Sequence, residues 1–172
     1  MEEPPEIVWE EYRGLALPSS PLSGPVKLEG TVARCFARTQ TGALLAATQI
    51  SSRAVLGVDW RSVVERQLVP GPGAEAHVKK MEGLAGTDAA RSGSDVAGLL
   101  QPAGFRVLTY TADQATVALV YGSELGRRLQ SMLCTVVWTS GDWFLQPEPN
   151  GEIGALVQRP DSLEGFVPWG KG

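Results

Sequence analysis

The sequence predicts an α+β fold, with about three N-terminal helices packed on an antiparallel sheet. Three observations predict it. Residues 104–147 carry β-rich runs separated by tight turns. Three segments between residues 42 and 85 carry apolar side chains at helical spacing. The connections within 104–147 are hairpin-short, too short for crossovers, which makes the sheet antiparallel. The simplest version of this layout is a cone, with the helices lying in the concave face of a curved sheet.

Residues 1–30 read as an extended, irregular segment. Pro4, Pro5, Pro18, Pro21 and Pro25 forbid a long helix there. Trp9 and Tyr12 are its large anchors, pinning it to the body as a strap. Residues 30–36 suit a short strand. Thr39 or Thr41 then caps a helix over 42–56, where Ala43, Leu44, Ala47, Ile50 and Ala54 recur at helical spacing. Asp59 caps a second helix over 60–69, ended by Pro70. Gly71-Pro72-Gly73 makes a hinge or tight turn. A third helix covers 74–85, with Ala74, Val78 and Met81 on one stripe. Residues 86–100 are rich in Gly, Ser and Asp and read as loop, with one helical turn at most over 95–100.

The sheet opens in the run from Phe105 through Val107, Leu108 and Tyr110. Ala112-Asp113-Gln114 breaks that run as a turn. Ala115, Val117, Leu119 and Tyr121 then recur with period two. Thr116, Ala118 and Val120 form the other face, whose low polarity predicts cover on that side as well. Residues 122–128 are a polar connection, and a longer strand covers 129–139. On it Leu129, Leu133 and Val137 point one way; Met132, Cys134, Val136 and Trp138 point the other. Ser140-Gly141-Asp142 reads as a tight hairpin, since Gly tolerates positive φ. Trp143 and Leu145 return on a last strand that Pro147 ends. Residues 148–172 carry Ile153, Leu156, Phe166, Val167 and Trp169, too apolar for a free tail, so they are expected to pack back on the body. The division expected is 1–30, a cone-like domain over 31–147, and a returning segment over 148–172.

The 172-residue length suits one domain with a real core. A net charge of −4 argues against nucleic acid as a bulk electrostatic partner. No apolar run approaches the roughly 18 residues of a membrane span. The acidic, proline-rich N-terminus does not read as a signal peptide. Cys35 and Cys134 are too few for a zinc site. Whether they pair is left open, a buried free thiol in a core strand being the commoner outcome.

His77 is the only histidine, and it lies one residue off the apolar stripe beside Lys79 and Lys80. It reads as a solvated or half-buried surface residue. A general-base role would need an orienting carboxylate, from Asp59 or Asp113. Asp113 and Asp142 sit at hairpin turns, where the side chain bonds the local backbone. Glu2, Glu3, Glu6, Glu10 and Glu11 form a solvated acidic stretch; Lys79-Lys80 and Arg127-Arg128 are surface pairs. Gly71 and Gly73 lack the context of a phosphate loop, and no nucleophile elbow is present. Trp138, Trp143, Phe105 and Tyr121 hold core-like positions, with a ligand cavity lined by them as the alternative. No catalytic, cofactor-binding or metal-ligating set is assigned. If the protein binds a small molecule, Tyr110, Asp113 and His77 are the candidates.

Two sets of segments carry resemblances. Helices followed by VVWTSGDWFLQ resemble the nuclear-transport-factor-2-like (cystatin-like cone) superfamily. LPSSPLSGP at 17–25, RCFARTQTGALLAATQ at 34–49, GFRVLTYTADQATVALV at 104–120, WTSGDWFL at 138–145 and GFVPWG at 165–170 together resemble an actinobacterial family of unknown function. Its members are often encoded in integrative and conjugative elements and look similar to the scaffold subunits of conjugative type IV secretion machinery. These motifs are structural, so no catalytic residue carries over. The resemblance implies a non-enzymatic assembly module with protein partners, a homo-oligomer among the options, and no direct nucleic-acid binding. It would act through an exposed sheet face and the proline-rich segments. Related proteins commonly have a membrane helix before the domain; here membrane association would come through a segment or partner outside this chain, and localisation stays open. The alternative is a small-molecule binder or an enzyme of isomerase, dehydratase or hydrolase type, using the cone's pocket. A secreted or surface module unrelated to DNA transfer is a third option.

Overall fold

The computed structural model describes residues 2, 4, 6–84, 100–123 and 128–171. Two hairpins precede the helices: β1 (Val8–Tyr12) with β2 (Leu15–Ser19), and β3 (Lys27–Glu29) with β4 (Val32–Arg34). The irregular strap expected over 1–30 is therefore regular in part, over 8–19 and 27–29. Arg13 and Gly14 make this possible. Both have positive φ (52° and 86°), as the two-residue turn that suits a right-twisted hairpin requires. Leu15 and Leu17 are buried and pack with Tyr12, Leu56 and Tyr121. Trp9 and Tyr12 do act as anchors: Trp9 meets the edge of Trp169, and Tyr12 lies under the Arg53 guanidinium.

Thr39 opens α1 (Gln40–Leu56), its side chain accepting from Gly42 N at 3.1 Å. Gly42 is required there, because a Cβ would stand 1.9 Å from the Ala37 carbonyl oxygen. Every residue from Gly42 to Ala54 is buried, polar ones included. Their hydrogen bonds stay close by: Thr48 Oγ1 to Leu44 O at 2.9 Å, and Arg53 Nε to Gln49 Oε1 at 2.9 Å. Asp59 caps α2 (Trp60–Gln67). This helix ends before the expected residue 69, because Val69 N donates to Leu145 O at 2.9 Å and joins the sheet edge. The Gly71-Pro72-Gly73 hinge is also corrected. Pro72 is the first residue of α3 (Pro72–Leu84), where its missing N–H costs nothing.

The main sheet contains β5 (Gln101–Tyr110), β6 (Gln114–Gly122), β7 (Leu129–Thr139), β8 (Asp142–Gln146), β9 (Ala155–Gln158) and β10 (Val167–Pro168). All pairings are antiparallel in the order β10-β5-β6-β7-β8, with β9 on the remaining part of β7. Ser140 and Gly141 both have positive φ, so the β7–β8 turn is as expected. A bulge between Val107 and Thr109 turns both Val107 and Tyr110 toward the core and leaves Leu108 exposed. The helices cover one face of the sheet through Phe105, Val117, Leu119, Val136, Trp143 and Leu145. The other face is covered too, as its low polarity predicts: Ala118 and Val120 are buried. Leu163 and Phe166 lie against Gly104, the strand partner of Val120. Trp169 then returns to the core against Phe105, ring centroids 4.8 Å apart. Both cysteines are free, Cys35 exposed and Cys134 buried. The loop expected over 86–100 falls, apart from Leu100, outside the described residues, as does most of the connection over 122–128 with Arg127.

Candidate functional site

His77 is not a surface residue. It is 3% exposed, with Nδ1 3.2 Å from Gly151 O and Nε2 3.1 Å from Ala54 O. The turn before β9 closes over α3 there; a Cβ on Gly151 would lie 2.5 Å from His77 N. Burial holds the imidazole below its ordinary pKa, against the two carbonyls, which favour the charged form; nearby Lys80 lowers it further. Neither proposed carboxylate serves His77. Asp59 is engaged by the Ser62 N–H and hydroxyl, and Asp113 by Arg38.

Tyr110 and Asp113 do come together, around Arg38. Arg38 Nε donates to Ala112 O at 2.8 Å, its Nη2 pairs with the Asp113 carboxylate, and its guanidinium lies 5.3 Å from the Trp138 ring centre. Tyr110 donates its hydroxyl to Arg38 O at 3.4 Å. An exposed ion pair of this kind contributes at most about 1 kcal/mol. The local reading of Asp142 needs correction. Its carboxylate accepts from the adjacent Trp143 N at 2.9 Å, but also from Cys35 N at 2.8 Å and Phe36 N at 3.0 Å. Trp143 Nε1 adds a bond to Ala37 O at 2.9 Å. Segment 35–38 is thus fastened to two hairpin tips. This cluster fixes the backbone of that segment.

Two concavities stand out among the described residues. A cleft of about 700 Å³ with a mixed lining lies between the β1–β2 turn and the C-terminal segment, with Glu11, Leu129, Asp161, Ser162 and Lys171 on its walls. An apolar groove of about 220 Å³ lies between the last turns of α1 and the sheet, walled by Leu15, Val55, Leu56, Met132 and Leu156. Ser51, Ser52 and Tyr121 also line it. Burial pushes the Tyr121 phenol up to about 12 and the neighbouring Cys134 thiol likewise to about 12. Ser52 and Ser51 stand near enough to the phenol to oppose that shift. Neither makes a hydrogen bond of normal geometry to it, and among the described residues the buried Tyr121 hydroxyl has no partner. The described residues contain no grouping of His, Cys, Asp and Glu that would hold a metal ion, and no described helix is long and apolar enough to cross a membrane.

A family model for a domain of unknown function, DUF8175, matches residues 1–168. The chain belongs to the DUF8175 family. No curated protein and no solved structure matches it. The DUF8175 match runs through both early hairpins and into β10. Within this DUF8175 chain, sequence reasoning passed over Arg38, Ser51 and Ser52, and took Tyr121 for core or for one of four aromatics that could line a cavity. A signal was present for the serines. Thr48, Gln49, Ser51 and Ser52 interrupt an otherwise Ala/Leu-rich helix. Arg38 carries no such signal, because its partners come from strands far along the chain.

Proposed function

We propose that this chain is a non-enzymatic protein-interaction module, a cone-like unit of the nuclear-transport-factor-2-like kind that takes part in assembling a conjugative DNA-transfer apparatus. What supports the reading is where the large apolar side chains lie. Leu44, Leu45, Ile50, Phe105, Leu119 and Trp143 are fully buried and fill the space between helices and sheet. Leu22, Val26 and Leu28, by contrast, are 74%, 72% and 58% exposed along the proline-rich segment before β4. Exposed apolar residues mark contact surfaces where they gather in one patch, and these three fall within seven residues of sequence. The link to DNA transfer rests on the sequence resemblance alone.

The test is photocrosslinking in the native host, with a benzophenone amino acid at Val26 or Leu28 and a control at Lys79. A discrete adduct with one protein from each of positions 26 and 28, the position-26 adduct being lost when Leu28→Glu is added, is the expected result. Equal, diffuse labelling at all three positions overturns the interaction reading. A discrete partner unrelated to DNA transfer overturns only the link to that apparatus.

A further inference from the structure

We propose that the groove between the last turns of α1 and the sheet binds a small neutral apolar molecule carrying one hydroxyl or carbonyl group. This inference is independent of the interaction reading, because the groove shares no residue with Leu22, Val26 or Leu28. It starts from apolar side chains left exposed beside the core. Leu156 pairs with Met132 across β9 and β7, and Met132 packs on the core, so Leu156 belongs to the face turned toward α1. Even so, Leu156 is 62% exposed, and Val55 on α1 is 48% exposed. The groove of about 220 Å³ is the space they fail to fill. Apolar cavities of about 150 Å³ admit benzene. This one suits something larger, of the size of a propylphenol or a medium-chain alcohol.

The polar end of the ligand follows from the hydroxyls. Ser51 and Ser52 donate to Thr48 O at 3.2 and 2.8 Å, which leaves their oxygens able to accept. The Tyr121 hydroxyl is buried and has no partner among the described residues. An unpaired buried hydroxyl is costly, and a ligand oxygen would relieve it. Met132 lines the same groove and, being unbranched and flexible, can yield to an entering ligand. Neutrality follows from the surroundings. Arg53, the cation of α1, is turned away toward the Tyr12 ring, Gln49 and Thr31. A carboxylate here would be desolvated without a partner.

The experiment uses the full chain with methyl-labelled methionine, the Met132 signal being assigned with Met132→Leu. The probes are para-propylphenol, octanol, propylbenzene and octanoate. The expected result is a saturable shift of the Met132 methyl with the first three, and at least about tenfold weaker binding of octanoate than of octanol. Tyr121→Phe is expected to weaken propylphenol about fivefold, the loss of one hydrogen bond, and to leave propylbenzene unchanged. Ser52→Leu fills the groove and abolishes all three shifts. The proposal is overturned by an absent or non-saturating Met132 shift, by octanoate binding as tightly as octanol, or by shifts that survive Ser52→Leu. Equal weakening of propylbenzene and propylphenol by Tyr121→Phe would overturn the assigned role of the hydroxyl.

Discussion

The carboxylate of Asp142 accepts the backbone N–H of Cys35 at 2.8 Å, across 107 positions of sequence. It thereby holds Cys35 in a left-handed conformation, φ 67°, which a residue with a side chain seldom adopts. The same carboxylate takes Phe36 N and Trp143 N, so three backbone donors depend on one side chain. Asp142→Ala leaves all three without that acceptor and is expected to cost about 2–4 kcal/mol. Asp142→Asn keeps one acceptor oxygen and should cost about half as much. Urea denaturation checks both; an Ala variant within about 0.5 kcal/mol of the parent would remove Asp142 from this role.

His77 gives a pH dependence whose sign can be worked out. Its folded pKa lies below the ordinary value of 6.5 because burial disfavours the imidazolium. Below about 6.5 the unfolded chain therefore binds the proton more readily than the folded one. The contribution is favourable and constant above that value, and is lost as pH falls from there toward the folded pKa. His77→Gln cannot titrate and should remove this part of the acid sensitivity. Comparing urea midpoints of the two proteins at pH 7.5 and 5.5 tests it. A parent that gains stability on acidification relative to the variant would show that the two carbonyls outweigh burial.

The two thiols should separate by reactivity. Cys35 is exposed, whereas Cys134 is buried with its thiol pushed up to about 12, which leaves almost no thiolate at neutral pH. A disulfide reagent is expected to titrate one thiol per native chain and two in denaturant. Cys35→Ser should abolish the native reaction; rapid labelling that survives it would mean that Cys134 is accessible.

Trp169 joins the C-terminal segment to both the sheet and the first hairpin, through Phe105 at 4.8 Å and Trp9 at 5.2 Å. Trp169→Ala is expected to destabilise by about 3–5 kcal/mol through the cavity it leaves. Limited proteolysis should then cut the variant first near residues 159–166 or 6–12. A variant cleaved with the parent's pattern and rate would show that these segments are held by other contacts.

The parts of the fold that were legible in the sequence depend on residues a few positions apart. Period-two alternation over 115–121 marked β6, Thr39 and Asp59 marked helix starts, and Ser140-Gly141 marked a turn. The first hairpin was not legible. Glu10-Glu11 breaks the alternation of β1, and prolines at 18, 21 and 25 masked the buried Leu15 and Leu17 of its partner. Of the three nominated site residues, Tyr110 and Asp113 do meet, at Arg38, while His77 stands apart between Ala54 and Gly151.

The sequence by itself determined the α+β class, the helix caps, the antiparallel strands and the hairpin turns, because propensity, capping and turn geometry are short-range interactions. Only the tertiary structure decided that His77 is buried, that Asp142 serves Cys35, and that Tyr121 keeps an unpaired hydroxyl beside a groove. Burial and hydrogen-bond choice depend on which distant surface arrives. The Gly151 carbonyl lies 74 positions from His77, and nothing local to either residue selects the other.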